Sequence, residues 1–337
     1  MLVLGYKAYT EQYGPNQLLD WCVEAERQGF DSITASDHFH PWRDEGARCV
    51  FVWSWLGALG ARTRRIQFGT GVTAPTIRYN PAVIAQAAAT LGVMFPGRFW
   101  LGVGTGEALN DKAATGCWPD YLERRDRLIE AIQIIRRLWE GEHLTYRGRY
   151  FQTRDAHLYD LPTQPVPLYV GASGVHSTRL AGRYGDGWMV TGGAGPVDPY
   201  REQLIPALER GAREAHRDPS SIARAIELSV VYAENKAEGV REARLLASSL
   251  FPNREKYGMY DPRDLQRYGE LLSDRAVEGH WFISGDPDEH VALAEKFIQL
   301  GFTHLFFKTP GPRQSEFIQF YGQHVLPKLR QKYGASR

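Results

Sequence analysis

The apolar positions of this chain fall into short blocks that switch between two periods. Leu2 to Tyr6 is a β-like run, and Asn16 to Arg27 carries Leu18, Leu19, Cys22 and Val23 at helical spacing until Gly29 stops it. Ser32 to Ala35 reads as a second strand, Phe51 to Ala61 as a helix and Arg65 to Gly69 as a third strand. Pro81 to Met94 is predicted helical, with Asn80 as N-cap and Pro81 at the first helical position. Arg98 to Val103 is a fourth strand, and Pro119 to Glu140 a long amphipathic helix.

The rhythm then breaks. Residues 144–161 contain Tyr-Arg-Gly-Arg-Tyr-Phe, a hairpin turning at Gly148, and read as an insertion. Pro167 to Val170, Trp188 to Thr191, Ala225 to Tyr232 and His304 to Phe307 supply four more strands, and residues 251–285 form a second excursion. Eight strands alternating with helices predict an α/β fold, a (β/α)8 TIM barrel formed as one domain over residues 1–337; a doubly wound open sheet is the runner-up. The barrel carries a sharp expectation: reactive residues gather where strands end.

Composition narrows the partners. The 337 residues carry a net charge of +1 with no block of like charges, so nothing electrostatic argues for nucleic acid or an anionic membrane. Three cysteines without a CxxC make neither a disulfide frame nor a zinc site and are expected as small buried hydrophobes. The start MLVLGYKAY lacks a basic region and a long apolar run, and no stretch reaches the roughly 20 apolar residues of a membrane helix. A cytoplasmic, metal-free protein is expected.

Polar residues do collect at strand ends. The second strand runs into Asp37-His38-Phe39-His40-Pro41-Trp42, the third into Gly69-Thr-Gly-Val-Thr-Ala74 and the fourth into Gly102-Val-Gly-Thr-Gly-Glu-Ala-Leu-Asn110. The fifth runs into Gly171-Ala-Ser-Gly-Val-His-Ser177, and the sixth into Thr191-Gly-Gly-Ala-Gly195. Glycines around one mouth suit a flat ligand, although each loop alone reads equally well as turn glycines. The segment GTGVTA fits a loose dinucleotide pattern. Pro75 and Pro81 keep a helix from opening there, and no acidic residue follows at the required distance, so that reading fails. In Gly171–Ser177, backbone N–H groups at a helix start and the Ser173 and Ser177 hydroxyls suit a phosphate; the plain alternative is a capped helix. His38 can act as base or acid, or be structural. Asp37 points the other way from His38 if strand geometry persists. Glu107 can be a carboxyl raised in pKa under a ligand, or a cap or ion-pair carboxylate, and Trp42 a pocket wall or core.

Asp37–Trp42, the run Arg78-Tyr-Asn-Pro-Ala-Val-Ile-Ala-Gln86 and Gly102–Asn110 together resemble the coenzyme F420-dependent glucose-6-phosphate dehydrogenases, members of the luciferase-like barrel superfamily. The resemblance continues through Ala181–Gly187 and Ser284–Glu289. It implies a homodimer that transfers a hydride from C1 of a hexose 6-phosphate to F420. Asp37, Ala74, Thr105, Gly106 and Asn110 would line the deazaflavin, with a non-proline cis peptide at Gly71–Val72 behind the ring. Ser173, Gly174, His176 and Ser177 would hold its phosphate tail. His38 and Glu107 would handle protons, in an undecided division of acid and base, and Trp42 would shape the pocket. Thr191, Lys256 and His280 would meet the substrate.

One departure stands out. The family's phosphate clamp of two lysines and an arginine reduces here to Lys256, because Ala194 and His280 occupy the other positions, with Arg254 the nearest replacement in sequence. Relaxed sugar-phosphate specificity follows as an expectation. The alternative is F420-dependent oxidation of an unphosphorylated sugar or small alcohol. A flavin monooxygenase and a non-catalytic deazaflavin binder are disfavoured by DHFHPW, GTGEALN and the presence of both His38 and Glu107.

Overall fold

Nine parallel strands carry the architecture: β1 Val3–Ala8, β2 Ser32–Ala35, β3 Gln67–Thr70, β4 Phe99–Val103, β5 Leu168–Gly171, β6 Gly187–Gly192, β7 Ala223–Tyr232, β8 Phe282–Ser284 and β9 His304–Lys308. The structure, a computed structural model, describes residues 2–251 and 257–334. Each of β1 to β7 pairs with the next, and β9 pairs with both β7 and β1, so eight strands close into a ring. The expected (β/α)8 barrel is the fold observed, and every one of the eight predicted strands lies in it.

Strand periodicity separates two apolar layers. Trp100, Tyr169, Met189, Ala225 and Phe306 point inward and plug the barrel. Gly5 leaves room for this plug, since a Cβ there would sit 2.2 Å from the Phe306 ring. The alternating outward residues, such as Ile33, Phe68, Leu101, Ile226 and Leu305, join the helices in the larger core. Each such side chain contributes about 1.5–3 kcal/mol by leaving water. Above the plug lies a charged layer that strand patterning alone did not announce. Lys7 Nζ donates to Glu227 Oε1 and to the Gly71 carbonyl, both at 2.8 Å, and Thr34 Oγ1 donates to the same carboxylate at 3.3 Å.

Local signals explain most boundaries. Asn80 Oδ1 accepts from the Ala82 N–H, as its cap position predicts, and the helix runs Pro81–Met94. The long helix starts later than expected, at Tyr121, because Asp120 caps it by accepting from Glu123 N–H, and it ends at Trp139. A short helix, Ala108–Thr115, was not anticipated; Gly116, at φ +73°, closes it. Residues 144–161 do turn back at Gly148, whose N–H donates to the Phe151 carbonyl, with antiparallel bridges Leu144–Ala156 and Arg147–Gln152. The Glu130 carboxylate anchors this hairpin by accepting from the N–H groups of Arg149, Tyr150 and Phe151.

Within 251–285, helices Pro262–Leu271 and Asp274–Glu278 lead into β8, which pairs with Val230–Tyr232. Three residues are too few to show a period, and β8 forms because β7 runs ten residues and outreaches β9. The cysteines are not all buried. Cys22 is, whereas Cys49 and Cys117 are exposed.

Candidate active site

The strand ends and their loops enclose a cavity of about 590 Å³. Asp37, His38 and Trp42 line it from the β2 end, and Gly71, Val72 and Ala74 from the β3 end. Thr105, Gly106, Glu107 and Asn110 follow β4, and Ser173, Ser177, Thr191 and His280 complete the predicted residues on its wall. Gly174 and His176 instead sit on the exposed rim, in the first turn of Val175–Tyr184 and its cap. Lys256 and Arg254 lie outside the described residues.

The glycine-rich strand ends have a specific reason. The Gly71–Val72 peptide is cis, as the resemblance implied. A Cβ at Gly104 would lie 2.7 Å from Val72, and one at Gly102 or Gly171 would lie 3.1 Å from it. These glycines therefore make room for the Val72 side chain, which forms part of the cavity floor. Gly106 has φ +89°, and a Cβ there would strike Asp111 Oδ2 at 2.3 Å.

Asp37 and His38 point apart, as strand geometry requires. The Asp37 carboxylate accepts from Thr73 Oγ1 at 2.7 Å and Tyr79 OH at 3.0 Å, and meets Arg78 at 3.2 Å. Its ring of donors holds the β2 and β3 loops together. His38 turns towards two carboxylates: Nε2 lies 3.5 Å from Glu107 Oε2 and 4.0 Å from Glu11 Oε1. Its Nδ1 lies 3.1 Å from the His40 carbonyl. A carbonyl only accepts, so Nδ1 carries the hydrogen and Nε2 of the neutral ring presents a lone pair. The Trp42 ring, itself buried, lies 5.3 Å from the imidazole centroid.

Asn110 ties this constellation together. Its Oδ1 accepts from Phe39 N–H at 2.8 Å and His40 N–H at 3.3 Å, and its Nδ2 donates to Glu107 Oε2 at 3.3 Å. Glu107 occupies the N-cap position of Ala108–Thr115 without a side-chain capping bond to that helix. Its carboxylate faces the cavity and His38. Below it, Asp111 is fully buried and accepts from the N–H groups of Glu107 and Arg78. Burial pushes its carboxyl up to about 6, against the opposing pull of Arg78.

Several lining residues were missed from sequence: Glu11, Lys7, Glu227, Asp111, Trp281 and Lys308. Glu11 is 2% exposed, and its Oε2 is a buried acceptor without a partner among the described residues. The signal was a charge inside an otherwise apolar run. Lys7, Tyr9 and Glu11 stand two apart along one strand and its extension, on the inward face.

The opposite wall differs from the clamp that the resemblance implied. Ala194 does not line this cavity but a smaller one of about 410 Å³, beside Lys236, Arg275 and Trp281. The Gly193–Ala194 backbone is pinned there, since Ala194 N–H donates to the His280 carbonyl. His280 Nε2 lies 3.2 Å from Ser229 Oγ, and burial, then the Lys308 charge, pushes its pKa down to about 4. It is a neutral hydrogen-bonding group near pH 7, not a cation. Among the described residues, no cluster of three or more His, Cys, Asp or Glu side chains is arranged to hold a metal, and no helix is long and apolar enough to cross a membrane.

Comparison with known proteins agrees with this geometry. Residues 3–304 match the family described as luciferase-like monooxygenase. An F420-dependent glucose-6-phosphate dehydrogenase of Microbacterium testaceum (strain StLB037) is 46% identical over 332 residues, covering 98% of each chain. The chain belongs to the family of F420-dependent glucose-6-phosphate dehydrogenases. The family protein of Nakamurella multipartita is 44% identical over 330 residues, covering 98% of this chain and 97% of its own. Among solved structures, an F420-dependent secondary alcohol dehydrogenase in complex with an F420-acetone adduct is 35% identical, with a TM-score of 0.92 over 96% of this chain and 98% of its own.

Proposed function

We propose that the protein is an F420-dependent dehydrogenase that oxidises the C1 hydroxyl of a hexose 6-phosphate to the lactone. The observation that carries this reading is the approach of His38 Nε2 to Glu107 Oε2, 3.5 Å apart on the wall of one cavity. Full-length similarity to enzymes named for that activity supports it.

The cavity fits the cofactor. Val72, Ala74 and the Gly104–Gly106 backbone line one side of the cavity, and a Cβ at Gly104 would lie 2.7 Å from the Val72 side chain that forms this floor. Thr105, Gly106 and Asn110 would lie along the deazaflavin with Asp37, and Ser173 and Ser177 near its anionic tail. When bound, the deazaflavin supplies a ring carbon that accepts two electrons as hydride. The remaining work falls to this chain. His38 Nε2, held as the lone-pair nitrogen, accepts the substrate's hydroxyl proton. Glu11, with Oε1 4.0 Å from Nε2, and Glu107, with Oε2 3.5 Å from it, face the nitrogen that receives the proton. Asn110 fixes the Glu107 carboxylate, and Trp42 closes the pocket behind the imidazole and excludes water.

A second reading, oxidation of an unphosphorylated sugar or small alcohol, is favoured by one observation: Ala194 lies beyond Trp281 and adds no charge to the cavity. We further propose a metal-free cytoplasmic protein built on a single barrel domain over residues 1–337, with excursions at 144–161 and 251–285, and, from the resemblance, a homodimer. Light scattering on the purified protein tests the dimer, and unchanged turnover after chelation tests the absence of a metal.

The function is tested directly. Purified protein should quench F420 fluorescence, and F420 absorbance should fall on adding glucose 6-phosphate, faster than with glucose or isopropanol. Binding of FMN in place of F420 would overturn the cofactor reading. Turnover with isopropanol but not with glucose 6-phosphate would select the second one.

A further inference from the structure

We propose that Lys7 and Glu227 are positioning residues of the cofactor site: through the Gly71 carbonyl they hold the Val72 floor in place, and F420 affinity depends on them. The inference rests on the F420 reading above and gives a role to a buried pair outside the motifs that carry the resemblance.

The strands build this cluster in register. Lys7 on β1 pairs with Thr34 on β2, and Glu227 on β7 follows the plug residue Ala225 by two positions, so all three project into the barrel one layer beyond the plug. Glu227 Oε1 accepts from Lys7 Nζ at 2.8 Å and from Thr34 Oγ1 at 3.3 Å. A second hydrogen of the same ammonium goes to the Gly71 carbonyl, also at 2.8 Å. Gly71 rests on the whole cluster. A Cβ there would strike Thr34 Oγ1 and would lie 3.0 Å from Glu227 Oε1 and 3.3 Å from Lys7 Nζ.

What Gly71 carries is the floor of the cavity. Its N–H donates to the Ala35 carbonyl at 2.7 Å, and the next residue, Val72, packs over Gly102, Gly104 and Gly171. Thr73 N–H then donates to the Gly102 carbonyl at 2.8 Å, and the Thr73 carbonyl accepts from Gly104 N–H at 2.9 Å. The segment is thus held by β1 through the Gly71 carbonyl, by β2 through the Gly71 N–H and by β4 through Thr73. Energetics argue that the pair does more than stabilise the barrel. A buried ion pair roughly breaks even with an apolar pair of similar size, because desolvation offsets the attraction. Stability alone gives little reason for two charges that are 3% and 8% exposed. A lysine supplies what an apolar side chain lacks: a long arm with a donor to spare for a carbonyl on the neighbouring loop. Glu227 fixes the direction of that arm.

The test reads F420 binding by fluorescence quenching beside urea unfolding. Lys7→Met with Glu227→Met removes both charges together, and with them the donor to Gly71. This double variant should keep most of the wild-type stability yet bind F420 about 5–30-fold more weakly. A deazaflavin without the phosphate should weaken by the same factor, because the defect lies in the floor and not in the Ser173–Ser177 loop. Glu227→Gln keeps an acceptor for Lys7 and should hold F420 affinity within about threefold. Gly71→Ala disturbs the same peptide by another route, since its methyl points into the cluster, and should weaken both cofactors similarly. Ser32→Ala is the control: it removes the acceptor of Trp100 Nε1 in the plug and should change stability without changing F420 affinity. Wild-type affinity in the double variant overturns the proposal. So does weak binding that Gly71→Ala does not share, which would mean that the pair meets the cofactor directly, or an equal loss in Ser32→Ala, which would mean general loosening of the barrel. If the double variant does not fold, Gly71→Ala decides: binding as tight as wild type overturns the proposal, and a loss shared by both cofactors supports it. A wild type that does not quench F420 would remove the cofactor reading as well, whereas the other outcomes leave that reading standing.

Discussion

The two halves of the cavity wall are built differently. On the β2–β4 side, buried polar groups are multiply tied: Asp37 takes donors from Thr73, Tyr79 and Arg78, Asn110 spans Phe39, His40 and Glu107, and Asp111 holds the Glu107 and Arg78 backbone. On the β6–β9 side the described contacts are more local: His280 Nε2 meets Ser229 Oγ at 3.2 Å, its carbonyl accepts from the Ala194 N–H, and Tyr200 OH donates to the Thr191 carbonyl. A wall whose groups share partners tolerates few substitutions, because each change strands a buried neighbour. A wall whose described groups share fewer partners can exchange them more readily. This is a physical reason why the motifs that carry the resemblance cluster on the first side and the departures, Ala194 and His280, fall on the second.

The sharpest way to break this comparison is to remove the chemistry from the tied side. His38→Gln should cut kcat by about 10²–10⁴-fold while leaving F420 quenching and the substrate KM within a few-fold. Glu107→Gln should fall in the same range. Full turnover in either variant, measured by F420 absorbance, would remove that residue from the mechanism. Loss of F420 binding would show that the residue holds the cofactor rather than moving a proton.

The buried pair beneath the floor gives the next effect. Lys7→Met leaves the Glu227 carboxylate without its ammonium in a site where Lys7 is 3% exposed, and should destabilise the fold by about 3–5 kcal/mol in urea unfolding. Lys7→Met with Glu227→Met should recover most of that loss, because both charges then leave together. A double variant as unstable as the single one would show that the Lys7 bond to the Gly71 carbonyl matters more than the pair.

These two tests also mark what was readable from the chain. Strand ends were legible because a β run that stops at glycine or proline leaves its polar residues at the barrel's mouth, as with Asp37 and His38. The Lys7–Glu227 pair was not, because it joins positions 220 apart and its partners become neighbours only when β9 closes the ring between β1 and β7. Lys308 had a usable signal, its two-residue offset from Phe306 on a strand already predicted. The helix Ala108–Thr115 and strand β8 were hidden by length. Eight and three residues leave too few repeats for a period to emerge.

Acid provides a milder test that separates working from structural histidines. His290 sits fully buried between the Ser284 carbonyl and Tyr321 OH, and His304 lies between Tyr169 and Thr303; burial pushes both down to about 4. Their unfolded value is near 6.5, so the stabilisation from keeping them neutral is complete above that pH and is lost as pH falls towards 4. Asp111, raised to about 6, works in the opposite direction over part of the same range, since it holds a proton more tightly when folded. His280, also held down to about 4 by burial, adds a third ring to the loss, and the net by pH 5 should be roughly 4 kcal/mol in denaturant titration. His290→Gln should flatten that dependence by about a third of the histidine contribution, and an unchanged slope would mean that His290 does not share in it.

The smallest effect falls at the seam between the two walls. Ser177 Oγ donates to the Gly174 carbonyl at 2.9 Å and accepts from the Gly174 N–H at 3.2 Å, closing the first turn of Val175–Tyr184. Its hydroxyl also lines the cavity. If it only caps the helix, Ser177→Ala should cost about 0.5–1 kcal/mol and lower the melting temperature by a few degrees, with F420 affinity unchanged. If it also holds the anionic tail, F420 should bind roughly 3–10-fold more weakly, while a deazaflavin without the phosphate binds as before. Weaker binding of both cofactors would place the defect in the loop's shape rather than in the hydroxyl, which would assign Ser177 to the scaffold.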